Sequence, residues 1–363
     1  MNIVQPSDHP TPSASVTKPV TGRLLWLDVA RGLGMLAIVV GHSDLVPHGT
    51  EAYRVLFSFH VPLFFMLSGL MQPTSKPWPA FAASRARSLL WPYLLVSLTV
   101  AWVSTGKSWI AGHDPLATAV ELMGRVAWAG APMLQWPTLW FVPHLFLASL
   151  VTQGVLQGLS RWLPRSTQGW GTTTAAIGLL WAGLQGLHTQ PWPTWPWSAD
   201  LLLVSVAFMM LGHALRSRLL NQPLPRWVTA LCVTGFVLLH GRWDDTLDLY
   251  LRHADTPWRV GLQALLGFGA VVGLAQEMAS APRWRALLSP LVELGEGSLF
   301  VLMFHAWVLV MARQLLVPMG EPAANVLSVL LACAVPLMLR QGVRRVGWLT
   351  KLWEFSYHPT SKV

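Results

Sequence analysis

Long apolar stretches alternate with short polar gaps from residue 24 to residue 340. The hydrocarbon core of a bilayer asks for about 20 mostly apolar residues per helix. On that scale the pattern predicts ten spans, at roughly 24–43, 53–71, 88–105, 138–158, 172–189, 199–215, 227–241, 259–279, 297–317 and 322–340. The seventh is short for a span. Residues 106–137 carry Asp114, Glu121 and Arg125, too polar to cross, and predict an amphipathic helix at the surface. The first 22 residues are polar and rich in Pro, Ser and Thr, which predicts a disordered tail. The expected organisation is therefore a tail over 1–22, one membrane-embedded domain over 23–345 and a C-terminal tail over 346–363. The expected fold class is an all-α integral membrane protein, a polytopic bundle of about ten transmembrane helices.

Composition supports that solvent. Of 363 residues, 53% are apolar and 11% charged, against about 25% charged in soluble domains. Such a chain has too little charge to coat a soluble surface of its size. The formal net charge of +9 does not call for nucleic acid, because the basic residues fall in short gaps rather than in one run. That is the pattern of loops that meet anionic lipid. With the N-terminus inside, 17 Lys and Arg fall on the inner side and 7 on the outer, so both termini are expected in the cytoplasm. The outer loops then include PWPTWPW at 191–197 and an acidic segment at 244–255, where Asp244, Asp245, Asp248 and Asp255 stand beside Arg252 and His253. The first apolar stretch holds Asp28 and Arg31 and lacks a small-x-small cleavage site, so it is expected to stay in the mature chain. Cys232 and Cys333 lie inside apolar stretches and imply neither a disulfide framework nor a cysteine metal site.

Ionisable residues inside a span cost several kcal/mol and mark function by default. The first span offers three, in LDVARGLGMLAIVVGH. From Arg31 to His42 is eleven residues, a turn of about 20° and a rise of roughly 16 Å, and Asp28 falls about 40° from His42. The three share one narrow stripe, which must face protein or a water-filled cavity. The plain alternative is that Asp28 and Arg31 neutralise each other at i, i+3, with His42 an interfacial residue. His60, His144 and His305 fall at similar depth in the second, fourth and ninth spans, and Ser298 lies one heptad before His305 on its face. Any one of these histidines is readily a structural, hydrogen-bonded residue; four spans that each bring one are more informative. Imidazole titrates near neutral pH and suits proton abstraction. A metal is the weaker reading, since the chain has no His-x-x-His or carboxylate-x-x-His cluster. Arg85 and Arg87, at the start of the third span, read either as topology anchors or as a pair of guanidinium groups able to hold phosphates.

These strings resemble the membrane-embedded acyltransferases usually called acyltransferase family 3, and more closely its fucose-4-O-acetylase-like branch. The first span is similar to the family's opening signature, an Asp, then Arg-Gly, then a His about three turns on, here Asp28, Arg31, Gly32 and His42. FHVPLFFMLSGL at 59–70 resembles the second-span motif, with His60, Pro62, Phe64, Phe65, Ser68 and Gly69. LWFVPHLF at 139–146 resembles the fourth-span motif, and LGEGSLFVLMFH at 294–305 the late Gly-x-x-Ser segment. Members often carry Arg-x-x-Arg at the third span, whereas this chain has Arg85-Ala86-Arg87, which leaves open which arginine does the family's work. The hydrolase-like extracytoplasmic domain fused to some members is not found, so a stand-alone acyltransferase is expected.

The resemblance implies transfer of an acetyl group from cytoplasmic acetyl-CoA to a hydroxyl of an exopolysaccharide or lipid-linked glycan, with xanthan-type acetylases as the nearest kind. It places the protein in a bacterial inner membrane, in company with the lipid bilayer and polysaccharide-assembly proteins, with no permanently bound cofactor and no metal. On that reading His42 is the general base, and Asp28 and Arg31 organise its face. Arg85 and Arg87 hold CoA phosphates, while His60, Ser68, His144, Ser298 and His305 bind the acceptor or stabilise the oxyanion. A secondary transporter or flippase for an acyl or glycan carrier is the alternative from another class; the absence of an internal repeat in the sequence speaks against it, and a structural scaffold would leave the charged stripe without purpose. A series of phosphatase and fluorescent-protein fusions should report both termini and the 76–87 segment on the cytoplasmic side. A C-terminus on the outside would refute that orientation.

Overall fold

The computed structural model describes residues 24–354 apart from 132, 165, 190–192, 282 and 284. The expected tail over 1–22 lies outside the described residues, as do 355–363 of the C-terminal tail, Pro191 and Trp192 of the outer loop, and Lys18, Arg23, Arg165 and Lys362 of the charge count.

The described chain is almost wholly helical. Helix α1 (Leu25–Gly41) turns through a short loop into α2 (Glu51–Leu70), whose N-terminus is capped by the Thr50 hydroxyl accepting from the Tyr53 amide at 3.3 Å. Helix α3 (Trp78–Arg85) continues through a π-helical turn, Ala86–Leu90, into α4 (Trp91–Ile110). Asp114 then caps α5 (Pro115–Trp128), its carboxylate 2.8 Å from the Leu116 amide. Next come α6 (Phe141–Trp162), α7 (Gln168–Thr189), α8 (Leu202–Ala214), the short α9 (Arg216–Asn221) and α10 (Arg226–His240). A small antiparallel hairpin, β1 (Leu247–Asp248) with β2 (His253–Ala254), pairs Leu247 with Ala254 and Asp248 with His253. The chain ends in α11 (Pro257–Ser280), α12 (Arg285–Glu296), α13 (Ser298–Leu316), α14 (Glu321–Arg345) and α15 (Gly347–Glu354).

Each predicted apolar stretch falls on a helix. Seven of the helical runs among the described residues are long and apolar enough to cross a membrane: α2, α3–α4, Pro137–Trp162 with α6, Pro196–Ala214 with α8, α11, Ser298–Met319 with α13, and α14. The other three predicted spans differ for visible reasons. Helix α1 has 17 residues and α10 has 15, short of the roughly 20 a straight span requires. Helix α7 has 22 residues but spends several on Gln168, Thr172, Thr173, Thr174 and Gln185.

Short as it is, α1 is well enclosed, packed against α2, α11, α12 and α13. Glycines make that possible. A methyl group at Gly32 would stand 2.0 Å from the Leu291 carbonyl oxygen, and one at Gly295 would stand 1.9 Å from that of Asp28. The backbones of α1 and α12 therefore touch, and each supplies the glycine that admits the other. A second reciprocal crossing joins α2 to α8, where a methyl at Gly69 would lie 1.9 Å from the Met209 oxygen and one at Gly212 would lie 2.0 Å from the Met66 oxygen. Helices in lipid associate through such close approach of small residues.

Gly69→Ala and Gly295→Ala should each destabilise the protein by about 1–3 kcal/mol, the cost of overpacking a filled contact. Gly154→Ala, where the added methyl meets nothing within 4 Å, should be neutral or stabilising by about 0.5–1 kcal/mol, the usual gain of Ala over Gly inside a helix. Thermal unfolding of the detergent-purified variants checks the contrast.

Candidate active site

Faces of three helices, apolar with a few polar side chains each, meet in a cavity of about 200 Å³. Helix α1 lines it with Arg31, Met35, Ile38 and His42, the i, i+4, i+7, i+11 spacing of one helical face. Helix α2 adds Phe57, His60, Val61, Phe64 and Ser68 with the same periodicity, and the start of α13 adds Ser298, Leu299 and Leu302. Phe141 and Leu145 of α6, with Thr138 and Trp140 just before it, form a fourth wall. The segment Leu247–Tyr250 of the hairpin closes the His42 end.

Hydrogen bonding fixes the state of the histidines. His42 directly follows α1, and its Nδ1 lies 2.8 Å from the Ile38 carbonyl oxygen. The Nδ1 of His60 is 2.7 Å from the Leu56 oxygen, and that of His305 is 3.0 Å from the oxygens of both Val301 and Leu302. A carbonyl only accepts, so in each ring Nδ1 carries the proton and donates it, and Nε2 is the basic nitrogen. The ring of His42 stands 5.3 Å from that of His305 and 6.3 Å from that of His60. His60 also borders the cavity but is buried, as is His305, whereas His42 both borders the cavity and is exposed. His42 is thus the histidine best placed to present a basic nitrogen to a bound molecule.

The opposite end of the stripe is cationic. Asp28 is buried, does not border the cavity, and lies 3.7 Å from the Arg31 guanidinium. The i, i+3 pair that stood as the plain alternative is therefore formed, and Arg31 still faces the cavity. Arg85 is half-buried and close enough to Arg31 to feel its charge. Its guanidinium donates to the Gln72 side chain at 3.5 Å and lies 5.3 Å from the centre of the Phe81 ring. Arg87 is exposed. Two residues apart on a helix is about 200° of rotation, so one arginine of an Arg-x-Arg pair faces in when the other faces out. The π-turn that begins at Ala86, a feature common at functional sites, follows directly on the inward one.

Not every residue singled out in the sequence reaches the cavity. Ser68 and Ser298 line it, half-buried. His305 stands behind His42, its Nε2 buried with no hydrogen-bond partner among the described residues. His144 is buried away from the cavity; its Nδ1 donates to the Trp197 carbonyl at 3.1 Å and its ring packs on Phe65 and Trp140. Among the described residues, no three His, Cys, Asp or Glu side chains are grouped to hold a metal ion.

Sequence reasoning did not single out Tyr53 or Tyr250, and met Asp248 only as one member of the acidic 244–255 segment. Asp248 and Tyr250 border the cavity, and the Tyr53 hydroxyl donates to the Asp248 carboxylate. Burial, with help from Asp248, raises the Tyr250 phenol above its usual value, so it stays protonated. The acidic loop was visible as composition, but its destination was not. It is held in place by a buried ion pair: Arg252 donates from Nε to Asp200 at 2.9 Å, from Nη1 to the Tyr250 carbonyl at 2.9 Å and from Nη2 to the Ser198 hydroxyl at 3.2 Å. Trp197, Ser198 and Arg252 adopt left-handed backbone, with φ of 58°, 53° and 57°, a strained conformation for residues with side chains. The network around Asp200 and His144 is what holds it.

A family model described as an acyltransferase domain matches residues 24–340. No curated protein and no solved structure matches the chain.

The Arg252–Asp200 pair is 7% and 0% exposed, and removal of one partner from a buried pair costs about 3–5 kcal/mol. Arg252→Ala should therefore lower the unfolding free energy by about that amount. Arg252→Lys, which keeps the charge but loses the planar fork, should fall between. Denaturant or thermal unfolding in detergent measures both.

Proposed function

This chain belongs to the acyltransferase-domain family, and we propose that it is a membrane O-acetyltransferase. In this reading it moves an acetyl group from cytoplasmic acetyl-CoA to a sugar hydroxyl of an exopolysaccharide or lipid-linked envelope glycan, in a bacterial inner membrane. The observation that carries the proposal is the α1 stripe. It sets a basic histidine nitrogen at one end of a cavity and a cation at the other, about 16 Å apart along the helix.

Each residue has a stated task. His42 Nε2 takes the proton of the acceptor hydroxyl as its oxygen attacks the thioester carbon. Arg31 faces the thioester or the CoA beyond it, and Asp28 holds the Arg31 side chain in place. Arg85 meets CoA phosphates, and Arg87 adds positive charge at the mouth; charge-assisted contacts of this kind are strong and geometrically selective. Ser68 and Ser298 offer hydroxyl donors to the negative charge that develops on the thioester oxygen. His60 and His305 pack around His42 and shape the acceptor end, while His144 serves from a distance by supporting the Trp197 segment. The basic end lies on the cytoplasmic side in the orientation drawn from the charge count. Charged CoA then stops at a basic mouth while only its thin pantetheine arm enters, and the glycan arrives from the other face.

Purified protein given radiolabelled acetyl-CoA and a panel of envelope glycans should label an acceptor. His42→Ala should cut kcat by about 10²–10⁴-fold, the usual loss of a general base. Arg85→Ala should raise the KM for acetyl-CoA with kcat little changed, because contacts remote from the reacting carbon bind ground and transition states alike. Arg87→Ala should do so more weakly. Near-normal turnover by His42→Ala would remove His42 from the role of base.

A further inference from the structure

A histidine that takes a proton becomes a cation, and a cation inside a cavity with low-dielectric walls needs a counter-charge. The sequence offers Asp28 on the same stripe, but fourteen residues of helix, about 21 Å, separate it from His42. Asp28 is also engaged with Arg31. Asp44, two residues after His42, is tied to Arg313 and does not border the cavity. His60 of α2 and His305 of α13, whose rings stand beside His42, cannot supply an anion at neutral pH. Among the described residues that line the cavity, Asp248 is the acidic one.

Asp248 arrives from far away in the sequence. It sits in the hairpin between two buried leucines, Leu247 and Leu249, which anchor the segment in the helix bundle. One carboxylate oxygen accepts from the Tyr53 hydroxyl and the other from the Leu251 amide at 3.0 Å. Each carboxylate oxygen has about two acceptor positions, so these bonds fix the group without exhausting it. The Tyr53 ring stacks on Phe57 at 3.8 Å, and Phe57 stands 5.7 Å from the His42 ring. Asp248 and His42 thus line the same cavity and are linked through the Tyr53 and Phe57 rings. The hairpin is braced as well: Asp245 accepts from the Thr256 amide at 3.1 Å and from Arg259 at 3.5 Å, and Arg252 ties it to Asp200.

We propose that Asp248 is the electrostatic partner of His42, a positioning residue whose carboxylate stabilises the imidazolium formed during acyl transfer. The inference rests on the reading of His42 as general base. In the step concerned, the acceptor O–H bond breaks and an N–H bond forms at His42 Nε2, while the acceptor oxygen bonds to the thioester carbon. The C–S bond then breaks, and the CoA thiolate departs with the proton returned from His42. Asp248 keeps its charge throughout and makes no bond to the substrate. The hairpin is thereby part of the active site rather than a cover over it.

The test compares Asp248→Asn and Asp248→Glu with the wild type, each also combined with His42→Ala, using full-length protein in detergent with rates normalised to the monodisperse, folded fraction. Asp248→Asn keeps the shape and removes the charge. It should lower kcat by about 10²-fold or more, in line with loss of a carboxylate that supports a catalytic imidazole, and leave both KM values within about twofold. Asp248→Glu should recover part of kcat. In the His42→Ala background Asp248→Asn should cost nothing further, because two residues that act through one event are not additive. A raised acceptor KM at unchanged kcat would overturn the proposal in favour of a sugar-binding role, and a full additional loss in the His42→Ala background would overturn it in favour of loop support. If His42→Ala itself turns over normally, the general-base reading fails. An inactive His42→Ala beside a fully active Asp248→Asn defeats this inference alone.

Discussion

Lipid is as apolar as leucine, so helices within a bilayer gain little by hiding apolar surface from it and depend instead on close packing. In this protein that packing rests on two places where backbone meets backbone. Gly32 and Gly295 let α1 and α12 touch, and Gly69 and Gly212 do the same for α2 and α8. The short α1, which carries Asp28, Arg31 and His42, is held among α2, α11, α12 and α13 by the first of these crossings. The second fixes the helix that faces it. Once both are set, the polar stripes of α1 and α2 oppose each other, and the cavity is the space left between them.

The same framework sets the chemistry of the histidines. His42, His60 and His305 each give the Nδ1 proton to a carbonyl of their own chain within four residues. Helix geometry, rather than any distant partner, therefore selects the tautomer and leaves Nε2 basic. Charge is handled by separation. Arg31 and Arg85 lie at one end of the stripe, with Asp28 as the local balance, and the acidic hairpin stands at the other. The cost of burying charge in a membrane is lowered at each end by a partner of opposite sign or by a cavity edge. In the proposed transfer from acetyl-CoA to a sugar hydroxyl, such a division would keep the cationic end away from the histidine end.

Much of the local framework was legible in the sequence. The bilayer as solvent, the helical spans and the single face shared by Arg31 and His42 follow from helical periodicity, a property that needs only neighbours a few turns apart. Motif glycines were legible as identities: Gly32, Gly69 and Gly295 stand in the segments that resemble the family's. Their purpose, to admit another backbone at contact distance, became clear only with the helices in place.

Tertiary structure alone decided the rest. His144 has the same apolar context in the sequence as His60, yet it turns to the Trp197 carbonyl 53 residues away. Which arginine of Arg85-Ala86-Arg87 faces in depended on how α3 and the π-turn rotate against the bundle. Asp248, Tyr53, Arg252 and Asp200 come together from loops and helix ends that have no period to read, over separations of 52 to 195 residues. The sequence by itself determined the faces of the helices, because repeat and rise are built into the chain. Which loop residue fills the end of the cavity was settled by long-range packing, since an irregular segment takes its conformation from the partners it finds.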